Sequence, residues 1–290
     1  MNPTVMNTTV NQTFDWSRFT ATLRKEVVEN KRALLFTVIC VYGFLTLIMI
    51  MGNLVTGLGD GIYEAMETNT PQTFVASMLG LIICVSASLA FRNLTTKTGR
   101  TSMFTSPSST LEKFLVNVLI YVVGIFVAFF ACAQLADLTR IAVLSFFRSE
   151  TFIVPGPINF LNSLSYIGSS LDGIEELSDV ATGMKVGVWI GFIANAGCYL
   201  LGSIIWPRLS LLKTFAALYA IEIALFIIAA PLFYFFGDFE SMGQWFMEFI
   251  TGGHFSTSII CVSAIQAILY FSLAWYLFKR KDVISLKWWK

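Results

Sequence analysis

Few side chains in this 290-residue chain have a type and spacing suited to chemistry, and each also has a plainer reading. Glu222 stands out among the 18 acids as the one that falls inside an apolar stretch. It sits about 10 Å from the start of that stretch, at about 1.5 Å per helical residue. A carboxyl there could meet a substrate, an ion or a partner in a wet cavity, or be hydrogen-bonded or protonated within a helix bundle. Asn195, on another apolar stretch, reads as a ligand group or, more simply, as one interhelical hydrogen bond. Glu175 and Glu176 form an acidic pair with no histidine or arginine arranged about them. The five cysteines (Cys40, Cys84, Cys132, Cys198 and Cys261) fall one apiece in five separate apolar stretches, and His254 is the sole histidine. That scatter gives no metal-ligand spacing and reads as small buried thiols in helix packing. The chain has no Gly-x-x-x-x-Gly-Lys-Ser/Thr loop, no His-Glu-x-x-His and no Gly-x-Ser-x-Gly. The expectation is therefore a protein that is not an enzyme and uses no cofactor and no metal.

One polar pattern is well formed. Ser109, with Glu112 three residues later and an apolar run beyond, is a capping box: the hydroxyl accepts a free amide while the carboxylate reaches back. Pro107 disfavours helix at Ser106 and so fixes where the new helix begins.

The elements that carry these residues are membrane-length. Hydrophobic residues make up 56% of the chain and charged residues only 13%, a membrane-class balance. Six apolar stretches, at 33–55, 74–91, 114–135, 186–206, 215–236 and 256–278, each hold about 18–23 residues. That is enough to cross a hydrocarbon core of about 30 Å. Of the 19 Lys and Arg, 16 fall in the gaps on one side, and only Arg140, Arg148 and Lys185 fall on the other, which holds 12 acids. Basic flanks stay in the cytoplasm, so both termini are expected inside, with 57–73, 137–185 and 237–255 outside. No basic, aromatic-interleaved run points to nucleic acid.

Residues 1–14, rich in Asn and Thr, read as a disordered terminus. In 15–32, Trp16, Phe19, Leu23 and Val27 share one helical face among charged neighbours, which suits an amphipathic helix in the inner interface. The six-span domain is 33–278, and 279–290 is a short basic cytoplasmic tail. Gly187, Gly191, Ala194, Asn195, Cys198 and Gly202 put small residues along one side of the fourth span, which suits a buried place in the bundle. The aromatic gap after Gly237 reads either as re-entrant short helices or as an interfacial aromatic belt. The fold class expected is an all-α integral membrane protein of six transmembrane helices behind an interfacial helix.

This layout resembles the permease subunit of an ABC transporter of the type-2 exporter class. The segment Thr105-Ser-Pro-Ser-Ser-Thr-Leu-Glu-Lys-Phe114 is similar to a Leu-Pro-Ala-Ser-x-x-Glu-Lys-Phe element of such permeases in Bacteroidetes-like bacteria. Ser106, Pro107, Ser109, Glu112 and Lys113 match in kind, while the Leu and Ala of the element are replaced. The ending at 276–281, a Tyr followed by Phe-Lys-Arg-Lys, is also similar. The resemblance implies a bacterial inner-membrane exporter subunit, paired with a second permease chain as homo- or heterodimer. Two separate ABC ATPase subunits would dock on the amphipathic helix and on the elbow between spans two and three. Trp16, Arg24, Arg100, Pro107, Ser109, Glu112 and Lys113 are the coupling residues it points to. It implies short re-entrant helices between spans five and six. Lipids, polysaccharides, peptides and drugs are all substrates of the class. The alternative is a membrane assembly or regulatory subunit with a permease-like shape that transports nothing.

Overall fold

The computed structural model describes residues 14–57, 69–146, 178–236 and 254–281. The expectations for 1–13, for the acidic segment 172–177, for the re-entrant helices of 237–253 and for the tail from 282 lie outside these. Every described regular element is helical: α1 (Trp16–Gly57), α2 (Asn69–Leu89), a 3-10 turn (Arg92–Thr95), α3 (Lys97–Thr105), α4 (Thr110–Val118), a π-helical turn (Leu119–Gly124), α5 (Ile125–Phe146), α6 (Ser178–Ile205), α7 (Ser210–Phe236) and α8 (His254–Lys279). The π turn joins α4 to α5, so Thr110–Phe146 is one continuous rod.

Among the described residues, five helices are long and apolar enough to cross a membrane: those containing Trp16–Gly52, Thr110–Phe146, Gly183–Ile205, Ser210–Ile228 and Phe255–Lys279. The second predicted stretch coincides with α2, within which Ser77–Leu89 is a shorter apolar helix among the described residues. Their outward faces are apolar, with Phe36, Val127, Phe226 and Ile268 each exposed by about two thirds or more. Such faces are stable only against lipid or protein.

The amphipathic segment and the first span are one 42-residue helix rather than two elements. No glycine occurs in it before Gly43 and no proline at all, so nothing in the chain breaks the hydrogen-bond ladder at residue 32. Of the amphipathic stripe, Phe19 is buried and Leu23 half-buried, while Trp16 and Val27 remain exposed.

The bundle is organised around α6, which packs most extensively on α8 and also on α2 and α7, while α1 packs along α5. Small residues explain why α6 takes the centre. A Cβ on Gly187 would lie 2.6 Å from the Ile259 side chain on α8, and one on Gly202 would overlap Thr214 on α7. The helices approach until only hydrogen fits between them. Leu45, Leu79, Ile83, Phe129, Ala133, Leu200 and Ile204 close the core between these helices. Asn195 donates to Cys84 Sγ at 3.4 Å, the interhelical bond of its plainer reading.

The gap after residue 135 begins as the continuation of a long third helix, which holds Arg140 and its neighbour Asp137. Both lie inside α5, at 0% and 1% exposure, with Arg140 Nη2 at 2.7 Å from Asp137 Oδ1 and Nε donating to the same oxygen at 2.8 Å. The third apolar helix therefore extends to Phe146 and carries a buried i,i+3 ion pair, because pairing on one helical face lets both charges leave water together.

Candidate functional site

The start of α1, the elbow between α2 and α4, the α6–α7 turn and the end of α8 meet at one end of the bundle. The capping box of α4 is fully formed. Glu112 N–H donates to Ser109 Oγ at 3.2 Å and Ser109 N–H donates to Glu112 Oε2 at 2.8 Å.

The same carboxylate caps a second helix. Asp15 is the cap of α1, its Oδ1 accepting from Ser17 N–H at 2.8 Å. A carboxamide or carboxylate three residues on would ordinarily take the cap's own N–H, but that position holds Arg18, which has no acceptor. Glu112 Oε1 supplies it from 97 residues away, accepting Asp15 N–H at 2.8 Å. Arg18 Nη2 closes on the same oxygen at 3.3 Å. Glu112 is 0% exposed, so one buried carboxylate fixes two helix starts and is neutralised by the N-terminal dipoles of both and by Arg18.

The rest of the elbow is held with similar economy. Lys113, also buried, donates from Nζ to Ser106 O at 3.0 Å, pinning the Pro107 turn. Asn117 Nδ2 donates to Lys113 O at 2.9 Å. Thr96 caps α3 by accepting Gly99 N–H at 3.1 Å. Asn93 Nδ2 donates to Glu26 Oε1 at 3.2 Å, tying the 3-10 turn to α1, and Thr95 Oγ1 donates to Pro207 O at 3.2 Å, tying it to the α6–α7 turn. That last turn is tight enough to hold Leu209 at φ 56°, a left-handed conformation costly for a side chain with a Cβ.

Aromatic packing locks α8 into the same knot. The Phe278 ring lies 4.9 Å from Phe91, 5.8 Å from Phe114 and 6.3 Å from Phe104, and Trp275 meets Phe114 edge-on at 5.4 Å. Contacts of this geometry add about 0.5–1.5 kcal/mol each beyond their burial. Next to it lies a basic group. Arg280 stacks 4.4 Å over the Tyr276 ring. Burial and then the Arg100 charge beside it push the Lys281 ammonium below the usual lysine range.

Of the predicted coupling residues, the structure brings Pro107, Ser109, Glu112 and Lys113 together and sets Arg100 against the end of α8. Glu112 and Lys113 are buried fasteners rather than a contact surface, because their polar atoms are consumed inside the knot. Trp16, Arg24 and Pro107 are exposed. Asp15 and Arg18 were missed. The signal was available as an Asp cap with no acceptor at its third following position. Glu222 is elsewhere, on the outward, exposed face of α7, about 18 Å along from Ser210 at about 1.5 Å per residue, and Asn195 does not meet it. Among the described residues no group of three or more His, Cys, Asp or Glu is placed to hold a metal ion. No family model, curated protein or solved structure matches the chain.

Proposed function

We propose that this chain is the membrane-spanning permease subunit of an ABC exporter, and that the knot around Glu112 is its mechanical coupling to a separate ATPase subunit. The observation that carries this reading is the double cap. A connector between two spans needs no buried carboxylate joined to the first turn of a distant helix. A lever that must pass a push into the bundle needs that rigidity, because force applied to a loosely held loop is lost in the loop. The knot gathers the ends of α1, α2, α4 and α8, so displacement of one reaches four helices.

In this reading six helices cross the inner membrane of a bacterium with both termini in the cytoplasm. The 16-to-3 division of basic residues supports that orientation. The knot then faces the cytoplasm, with Trp16, Arg24 and the basic end of α8 available to an ATPase surface. A second permease chain covers α7. An outward carboxyl at Glu222, on a face built of Phe215, Tyr219, Phe226 and similar residues, costs roughly 2.5–3.5 kcal/mol against lipid. A partner chain or a wet path between two chains removes that cost.

Affinity purification of the tagged chain from its native membrane, with identification of what accompanies it, tests the proposal. An ATPase with a phosphate-binding loop at stoichiometric yield is expected. Its absence from gently solubilised, stable preparations would leave the coupling role without a driver and sink it.

A further inference from the structure

Along the rod the buried face slips once. From the π turn into α5, buried residues recur at Val122, Ile125, Phe129, Ala133, Ala136 and Arg140, three or four apart. In α4 the buried side chains that face the knot include Phe114 and Asn117, three apart. From Asn117 to Val122 the step is five, and the π turn Leu119–Gly124 is what spans it. An α-helix turns about 100° per residue. Plain α winding across that step would therefore set the two buried faces about 100° apart.

A backbone carbonyl away from water has to find a donor, and here a second helix supplies one. Ile125 N–H donates to Val122 O, three residues back, where an α-helix would use Tyr121 O. Tyr121 O instead accepts from Ser86 Oγ of α2 at 2.6 Å. Ser88, two residues on, bonds back within its own helix, to Val85 O at 2.7 Å. A Cβ on Gly124 would lie 3.3 Å from Leu119 O, five residues back, so the turn closes tightly on that glycine. Single π turns set into α-helices recur at functional sites.

We propose that the π turn is a joint in the rod and that the Ser86 hydroxyl is its catch. With the hydroxyl on Tyr121 O, the turn is held in its π winding. When the hydroxyl withdraws, Ile125 N–H can take that oxygen, the turn rewinds towards α, and α4 turns against α5. The packed faces at Phe114 and Phe129 limit the swing, so the catch sets a balance between two windings rather than freeing a hinge. The joint belongs to this chain alone and needs no ATPase. Under the coupling reading it is the point where a displacement of the knot enters the spanning part of the rod.

Residue-resolved hydrogen exchange of the protein in lipid nanodiscs tests it. In the unaltered chain the amides of 119–125 should exchange faster than those of 129–140. Ser86→Ala should speed 119–125 by about three- to tenfold, the share of one neutral hydrogen bond, and leave 129–140 alone. Ser86→Thr, which keeps the hydroxyl, should not. Deleting Ile120 removes the residue that makes the step five. Asn117 and Val122 then stand four apart, so the shortened rod should fold as plain α-helix, with 119–125 as protected as 129–140. Ser86→Ala in that shortened rod should change nothing, because Ile125 N–H already holds Tyr121 O. Equal exchange of 119–125 and 129–140 in the unaltered chain would deny the joint. No acceleration in Ser86→Ala, or the same acceleration with and without Ile120, would deny the catch. A deletion variant that fails to fold would contradict the five-residue step itself.

Discussion

Replacing Glu112 with Ala is the sharpest test of the knot. Counted as half of one capping box, the change would cost about 0.5–2 kcal/mol. The structure raises that figure. Glu112 accepts two backbone N–H groups at 2.8 Å each, from Asp15 and from Ser109, at a fully buried position. Hydrogen bonds to an ionised group contribute about 1.5–3 kcal/mol each. The Arg18 contact at 3.3 Å adds about 1 kcal/mol or less, because the guanidinium is 31% exposed. The local penalty is then about 3–7 kcal/mol, confined to the first turns of α1 and α4. The apolar packing between α6 and α8 does not depend on it, so the bundle should still assemble. Hydrogen exchange of the protein in lipid nanodiscs reads this directly, since about 3 kcal/mol of lost local stability is about a hundredfold faster exchange. Peptides covering 15–25 and 106–116 should accelerate by at least that much, and peptides from 190–205 should not. Glu29→Ala is the matched control. Its partner Lys25 lies 3.9 Å away with both side chains about half exposed, a pair that contributes about 0.5 kcal/mol. If Glu112→Ala and Glu29→Ala exchange alike, the two helix starts are not held by that carboxylate and the reasoning fails.

Other outcomes follow from the same geometry. Gly202→Ala should destabilise the solubilised protein, because the new Cβ overlaps Thr214, while Gly191→Ala should be neutral with nothing within 4 Å; thermal unfolding of the two variants side by side decides it. Asp137→Ala should lower the unfolding temperature sharply, by removing about 3–5 kcal/mol of buried pairing. The double variant Asp137→Leu with Arg140→Met should lose less, and a double variant at least as unstable as the single would contradict the pair's assignment. Leu209→Gly should leave the fold intact and raise thermal stability slightly, by relieving a φ of 56°; a clear loss of stability would count against strain in that turn. For orientation, Thr101 is exposed on the elbow, whereas Ser108 is buried and a poor reporter. In a background stripped of native cysteines, Thr101→Cys should resist an impermeant thiol reagent applied to whole cells, and Ser178→Cys should react. The reverse pattern would invert the topology.

How much of this was legible in the sequence depended on whether the cause was local. The α4 capping box was readable because cap and acceptor are three residues apart. The centrality of α6 was readable because small residues four apart leave no other use for that face. The second role of Glu112 was not, because its partner amide is 97 residues away in sequence and only the fold decides which carboxylate reaches it. The stripe of Trp16, Phe19, Leu23 and Val27 was recognised, yet a stripe does not say what covers it. Phe19 turns into the knot and Leu23 is half-buried, while Trp16 and Val27 stay exposed.

The ionisable residues on the long helices sharpen the point. Asp137 and Arg140 lie just past the third apolar run, which hydropathy ends at residue 135. Inside a helix the same two residues, three apart and of opposite sign, pair with each other and leave the surface. Glu222 was singled out from the start because nothing near it in sequence offers a charge, and Lys213 is nine residues away, too far to share its turn. The structure leaves it exposed on α7. An ion pair between neighbours on one buried helical face already has its opposite charge at hand. A carboxyl left facing outward on an otherwise apolar helix has no such explanation among the described residues. The proposed second subunit would supply its solvation, and this is the reason it is assigned to α7 rather than to the equally apolar outer face of α8.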